Sequence, residues 1–392
     1  MSNLSYLEKL LDGVEVEWLP LKEVLVRTKG TKITAGQMKV LHKDGAPLKI
    51  FAGGKTVAFV DFNDIPEKDV NREPSIIVKS RGVIEFEYYE KPFSHKSEMW
   101  SYYSDNDAID IKFIYHFLKL HERHFQGIGS RMQMPQIATP DTDKFLVPIP
   151  CPDNPEKSLA IQAEIVRILD AFTAMTAELT AELTAELNMR KKQYNYYREK
   201  LLASELPSSK TATLGEILDM RAGKHIKAKD ISAIKNAEHK YICFGGNGSR
   251  GFVQEYSHEG DYSLIGRQGA LCGNVKRAKG KFYATEHAVV CTPKEEIDID
   301  WAFHMLTFMN LNQYKSQSAQ PGLAVGNLAN LTINVPTISE QRKIAKILNK
   351  FDTLTTSLQE GLPREIELRQ KQYEYYRDLL LSFPKPHSDE TA

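Results

Sequence analysis

The chain has 392 residues, 42% hydrophobic and 26% charged, which is ordinary for a globular protein and long enough for two domains. Its 51 basic and 51 acidic residues cancel. That excludes a globally cationic nucleic-acid binder but leaves room for one whose basic residues are gathered locally. No run of about 18 apolar residues exists, and MSNLSYLEKLL lacks a signal peptide's basic start and apolar core, so a cytoplasmic location is expected. Cys151, Cys243, Cys272 and Cys291 have no metal-type spacing and read as small buried thiols.

In chain order, residues 1–20 come first. YLEKLL at 6–11 returns as YREKLL at 197–202, and LKEV at 21–24 returns as LGEI at 214–217. The first segment therefore reads as the end of a repeat unit. Residues 21–150 form a first domain. It has a basic stretch, a Gly-rich turn (FAGGK at 51), and an apolar strand ending in a basic loop (IIVKSRG at 76). An aromatic–histidine segment (KPFSHKS at 91), a short helix (KFIYHFLKL at 112) and a closing strand (FLVPIP at 145) follow. Short strands with scattered helices indicate an α+β domain.

Residues 151–205 read as a long helix. In LAIQAEIVRILDAF, 159–172, apolar residues fall at i, i+3 and i+4 through Ile161, Ile165, Ile168, Leu169 and Phe172. The pattern reaches Leu202 without a strong breaker, a span of about 66 Å. Inside it, TAELTAELTAEL at 176–187 writes one word three times. Four residues turn a helix by about 400°, so Leu179, Leu183 and Leu187 drift about 40° per step. Such a stripe suits a long coiled-coil seam poorly. It suits a spacer, beginning at Thr176, in which each word adds about 6 Å.

Residues 206–336 repeat the grammar of 21–150 in different letters. FGGNG at 244 stands for FAGGK and LIGRQGA at 264 for IIVKSRG. KFYATEHA at 281, WAFHMLTFM at 301 and LTINVP at 331 complete the series. Residues 337–384 then copy the central helix, and 385–392 form a tail. Gln162 pairs with Gln341, Ile165 with Ile344, Ile168 with Ile347, Leu169 with Leu348 and Phe172 with Phe351. In RKKQYNYYREKLL and RQKQYEYYRDLLL, Gln193 pairs with Gln372 and Tyr197 with Tyr376, at one offset, 341 − 162 = 372 − 193 = 179. Gly361 and Pro363 predict a kink or restart midway, with Pro363 in a first turn. Ile165, Ile168, Leu169, Phe172, Tyr194 and Tyr197 are expected at helix-packing or partner-binding positions. So are Ile344, Ile347, Leu348, Phe351, Tyr373 and Tyr376.

No catalytic constellation is visible. FGGNGSRG lacks the lysine and Ser/Thr of a P-loop, the G-x-G-x-x-G spacing and a surrounding βαβ unit. An amino-methyltransferase's Asn/Asp-Pro-Pro-aromatic tetrapeptide is absent, as are Ser-His-Asp and H-E-x-x-H patterns. Glu286–His287 and His95 beside Lys96 find no second cluster for metal or acid–base work, so these histidines read as structural or hydrogen-bonding. Basic residues instead gather on loops: Arg221, Lys224, Lys227, Lys229, Arg267 with Gln268, and Lys276 to Lys281. Arg, Lys, Asn and Gln read guanine and adenine edges, and neighbouring glycines let a backbone approach a surface. The candidate DNA contacts are Lys55, Lys79, Arg81, His95, Lys96 and Arg131 in the first domain. In the second they are Lys224, Asn247, Arg250, Arg267, Gln268, Asn274 and His287.

SEQRKIAKIL from 339, the paired tyrosine-rich blocks and the TAEL array make the chain similar over its whole length to specificity (S) subunits of type I restriction–modification systems, closest to the type IC group. The resemblance implies two α+β target-recognition domains separated by two long conserved helices that pack as an antiparallel coiled coil, a pseudo-twofold circular repeat. It implies that each domain reads half of a bipartite double-stranded DNA site and that the helices set a gap of roughly 6–8 base pairs, seven at the centre. Two methylation subunits and restriction subunits are the implied partners in the bacterial cytoplasm. S-adenosylmethionine, ATP and Mg²⁺ then belong to those partners, and this chain carries no cofactor, metal or catalytic residue. A single-chain DNA methyltransferase or nuclease and a coiled-coil adaptor without DNA are the competing readings. The first lacks catalytic motifs, and the second has no need of two divergent basic domains.

Overall fold

The structure, a computed structural model, describes residues 6–130, 134–203, 208–317, 321–357 and 360–384. Arg131 and the expected tail at 385–392 lie outside the described residues. The organising helices are α1 (Ile111–Leu120), α2 (Pro155–Leu202), α3 (Ile299–Phe308), α4 (Ile338–Thr356) and α5 (Leu362–Leu380). The chain forms two compact units, one of Met1–Thr180 with Leu368–Ala392 and one of Ala181–Glu367. No helix among the described residues is long and apolar enough to cross a membrane. Cys243, Cys272 and Cys291 are buried free thiols, and Cys151 is half-buried.

In the first unit, an antiparallel sheet runs in the order Val26–Lys29, Trp100–Tyr103, Ser75–Lys79, Glu85–Tyr89. A second sheet orders Val57–Val60, Leu48–Phe51 and Phe93–His95, the last pair parallel. Ser75–Lys79 is buried at all five positions, as befits a strand covered on both faces. Helix α1 starts where Asp110 Oδ1 accepts from Lys112 N at 2.8 Å and Phe113 N at 3.3 Å, a side-chain cap for otherwise unpaired donors. Its Phe113, Ile114, Phe117 and Leu118 are buried, an apolar face closed in the core by Ile161, Ile165 and Leu169 of α2.

The second unit builds one six-stranded sheet, in the order Leu218–Ala222, Ala288–Pro293, His258–Gly266, Val275–Ala284, Tyr241–Gly245, Gly248–Val253. Tyr241–Gly245 and Val275–Ala284 are parallel, matching the parallel pair of the first unit. Pro92 explains why the first unit divides its strands between two sheets. It falls between Glu85–Tyr89 and Phe93–His95, where proline offers no N–H to the ladder. Lys281 and its neighbours let Val275–Ala284 run through unbroken for ten residues.

Helix α2 is continuous for 48 residues through the TAEL words. Thr176, Leu179, Leu183 and Leu187 are half-buried, and Glu178 and Glu182 exposed. The second copy restarts where its letters indicate, as α4 and α5. Pro363 lies in the first turn of α5, and a Cβ on Gly361 would meet Thr353 O at 2.6 Å.

The repeat offset appears as packing. In the first unit Phe172 stacks on Tyr376, centroids 5.5 Å apart and planes at 14°, and Thr173 Oγ1 lies 3.1 Å from Tyr373 OH. In the second, Phe351 stacks on Tyr197 at 5.5 Å and 24°, beside Tyr194. The partners are the same residues exchanged, since 351 − 172 = 376 − 197 = 179. Within each unit the paired helices are antiparallel. Ile165, Leu169, Ile344 and Leu348 are buried, and Ile168 lies at the core edge. Ile347 is 41% exposed, so it does not pack in the helix seam, and of its two expected roles only partner binding is open to it.

Candidate nucleic-acid interface

In the second unit, strand Tyr241–Gly245 delivers its Gly-rich turn against the loop after His258–Gly266. A Cβ on Gly246 would lie 2.7 Å from Gln268 O, and one on Gly266 only 1.8 Å from Gly246 O. Glycine is therefore required for this approach. Arg267 N donates to His287 O at 2.9 Å, Leu323 N to Arg267 O at 2.9 Å, and Gly269 N to Pro321 O at 2.9 Å. These bonds draw the loops into an open cleft of about 520 Å³ lined by Gly246, Asn247, Arg250, Gln268, Gly269, His287 and Gly322.

The side chains there are donors and acceptors in surplus. Asn274 Nδ2 donates to Asn247 Oδ1 at 2.7 Å. Glu286 Oε1 is 3.0 Å from His225 Nδ1 and 3.3 Å from His287 Nε2. Among the described residues, Arg267 Nε, Glu286 Oε2 and His287 Nδ1 are buried without a hydrogen-bond partner. Unpaired buried polar atoms are costly. Burial opposes the charge of Glu286, yet its hydrogen bonds, including that from His225, and the nearby His287 hold the carboxyl below its usual range. It stays an acceptor near neutral pH. Lys224, Asn247, Arg250 and Gln268 are exposed, and Arg267, Asn274 and His287 half-buried.

The first unit has the same joints. Gly82 N donates to Pro135 O at 2.8 Å and Ile137 N to Ser80 O at 3.0 Å. Ser80–Arg81–Gly82 thus occupies the place of Arg267–Gln268–Gly269. Aligning IIVKSRG with LIGRQGA is one residue out of register, and a slip of one in a strand reverses every side chain. Arg81 is exposed, its Nε and Nη2 donating to Gln136 Oε1 at 3.3 and 3.1 Å. Lys55 is exposed on the Gly-rich turn, and Lys96 is half-buried with Nζ 2.6 Å from Glu98 Oε1.

Two candidates of the first unit face inward. Lys79 is 6% exposed, its Nζ 2.5 Å from Glu85 Oε1 and 2.7 Å from Glu87 Oε2. It is a paired core charge with no face for DNA. His95 is fully buried, its Nε2 3.3 Å from both Thr28 Oγ1 and Ser101 Oγ and its Nδ1 3.2 Å from Lys96 O. Burial lowers its pKa, so it is a neutral core histidine. Nor does it match His287: Thr31 N donates to His95 O and Lys224 N to Ala284 O, so Ala284 holds that place. Within Lys276 to Lys281, Arg277 is turned inward to Asp261 and to Asp300 Oδ1, the latter at 2.7 Å. Sequence reasoning weighs Glu286 only as the neighbour of His287, does not name it a DNA contact, and passes over His225. The adjacent pairs Lys224–His225 and Glu286–His287 carried the signal, but only the fold brings them together. Among the described residues, no group of three or more His, Cys, Asp or Glu is placed to hold a metal.

The family model described as the type I restriction modification DNA specificity domain matches residues 21–189 and again 208–368. The chain is 51% identical over 389 residues to the type I restriction enzyme EcoprrI specificity subunit of Escherichia coli, covering 92% of this chain and 93% of that one. It is 39% identical over 414 residues to the EcoR124I/EcoR124II specificity subunit of Escherichia coli, at 99% of both chains. The fold is shared with the crystal structure of a type I restriction–modification S subunit from M. genitalium. The TM-score is 0.57 at 17% identity, covering 95% of this chain and 98% of that one. Another solved structure, described by the complex assembly and conformational transition of the type I system, gives a TM-score of 0.60 at 14% identity, over 93% and 97%. A backbone joint repeated in both recognition domains, a family model matched in both halves and relatives aligned end to end show that the chain belongs to the type I restriction–modification DNA specificity family, as the recognition subunit and not the catalytic one.

Proposed function

We propose that each unit reads one half of a bipartite DNA site and that the helix carrying the TAEL words sets the gap between the halves. The observation that carries this is the doubled loop joint. Ser80–Gly82 with Pro135 and Arg267–Gly269 with Pro321 are the same backbone joint, presenting different side chains. Shared joints with divergent lining are what two readers of different half-sites require. Glu286, Gln268, Asn247 and Arg250 supply acceptors and donors suited to base edges, and exposed Lys55 and Lys224 suit phosphates.

The chain also serves as scaffold for two methylation subunits, with restriction subunits joining them. Support comes from matched exposed tyrosine pairs. Tyr196 and Tyr197 meet edge to face at 5.3 Å, Tyr375 and Tyr376 at 5.4 Å, at 58%, 40%, 64% and 38% exposure. Two equivalent apolar patches suit two copies of one partner. S-adenosylmethionine, ATP and Mg²⁺ then act in the partners. The test is methyl transfer to DNA by the purified chain alone and with added methylation subunits. Activity is expected only in the mixture, and methylation by the chain alone would overturn the reading.

A further inference from the structure

The surface each variable domain offers to its long helix is made of the same parts in both units, with one reversal. Gln162 Oε1 accepts from Asp110 N at 2.9 Å, and Gln341 Oε1 accepts from Asp298 N at 2.8 Å. Their Nε2 groups donate to Ala108 O at 3.0 Å and Glu296 O at 3.1 Å. About two turns along each helix, a buried histidine reaches across. His116 Nε2 is 3.0 Å from Asp170 Oδ1, and His304 Nε2 is 2.8 Å from Asn349 Oδ1. The residues correspond: 304 − 116 = 298 − 110 = 188 on the domains, 349 − 170 = 341 − 162 = 179 on the helices.

The reversal is at the second polar atom of the helix residue. Asp170 Oδ2 accepts from Lys112 Nζ at 2.6 Å, whereas Asn349 Nδ2 donates to Asp300 Oδ2 at 2.8 Å. Lys112 and Asp300 correspond too, 300 − 112 = 188. The helix is acceptor in one place and donor in the other, and the domain is donor, then acceptor. The histidine is indifferent to this. A carboxylate only accepts and the Asn349 amide is spent on Asp300, so both histidines donate from Nε2.

We propose that this reversed pair is a positional key. The α2 face at Asp170 takes a recognition domain that offers a cation at the Lys112 place, and the α4 face at Asn349 takes one that offers a carboxylate at the Asp300 place. The partner that fits each face is thus a variable domain of stated charge, native or from a related subunit. Exchanging the domains would set Asp300 against Asp170, two carboxylates within hydrogen-bond range, and Lys112 against the Asn349 amide, two donors. Resting on the half-site reading above, the key also fixes which half-site lies at which end.

The test is thermal unfolding of the full chain with Asn349→Asp, Asp300→Asn and both. Asn349→Asp is expected to lower the midpoint by roughly 4 °C. Asp300→Asn should lower the parent, because Arg277 keeps Asp261 but loses the second of its two carboxylate partners, yet raise the Asn349→Asp variant, where an amide again meets a carboxylate. If Asp300→Asn lowers both backgrounds equally, the key is refuted. In a second arm, residues 21–150 and 206–336 are exchanged, with and without Asp170→Asn plus Asn349→Asp. The expected result is a higher midpoint or folded yield with the key exchanged as well, and equal values with measurable folding would overturn it. Should neither exchanged chain fold, the substitution cycle decides. Sequencing the motif methylated by the folded exchanged chain tests the half-site reading separately. Coupling in the cycle with half-sites left in their original order would break that reading and keep the key.

Discussion

Removing one TAEL word, Thr180–Leu183, perturbs the proposed ruler with little else changed. Every residue of the three words is exposed or half-buried, and α2 is a single helix on both sides. The deletion therefore removes no core side chain and keeps the helical letters in phase to within about 40°. It shortens the helix by about 6 Å and turns its far end by about 40°. One base pair contributes about 3.4 Å of rise and about 36° of twist. The rotations nearly match, and the translation exceeds one base pair unless the helix lies oblique to the DNA. The expected outcome is a gap shorter by one base pair with both half-sites unchanged, and longer by one when a fourth word is added. The assay is sequencing of the methylated motif for variants with two, three and four words. A constant gap would refute the ruler and leave TAEL a solvated stretch of helix, whereas altered half-site bases would show that it takes part in reading.

Arg267→Ala should cost about 1–3 kcal/mol of binding and relax one position of the motif if the guanidinium reads a base. If it holds a phosphate, binding should weaken on all sequences with a flatter salt slope. Salt-dependent binding titrations decide between these, and unchanged affinity and specificity would remove Arg267 from the interface. His95 gives a pH dependence. Its folded pKa is depressed by burial, so below about 6.5 the unfolded chain takes up a proton that the folded chain refuses. Its share of stability is present at neutral pH and lost as pH falls through that range. Denaturant unfolding at pH 7.5 and 5.5 should show a smaller pH difference in His95→Gln than in the parent, and an equal difference would contradict the buried neutral state.

The helices were legible because their periodicity is local. The 179-residue offset names Phe172 and Phe351, and Tyr197 and Tyr376, as equivalents, and the structure adds that Phe172 stacks on Tyr376 and Phe351 on Tyr197; Gly361 and Pro363 mark the restart. The recognition domains were legible as grammar but not as register. Ser75–Lys79 is buried throughout, so it lacks the alternation that would fix which residues face the cleft. The sequence alignment therefore sets Lys79, not Ser80, against Arg267. His95 reads as structural or hydrogen-bonding and also as a candidate DNA contact, and only its bonds to Thr28 and Ser101 on neighbouring strands decide for the core. Ile347 shares its repeat position with Ile168, yet a repeat fixes register along the helix and not what covers it. Glu286 and His225, 61 residues apart, meet only through the folding of the sheet.

If the two units read DNA independently, replacing one of them changes one half-site alone. Residues 206–336 would be exchanged for the corresponding domain of a related subunit that keeps a carboxylate at the Asp300 place. The motif methylated in cells that also supply the partner subunits would then be sequenced. A new half-site is expected on one side of the gap, with the other half-site and the gap length unchanged. Changes in both half-sites, or in neither, would contradict it.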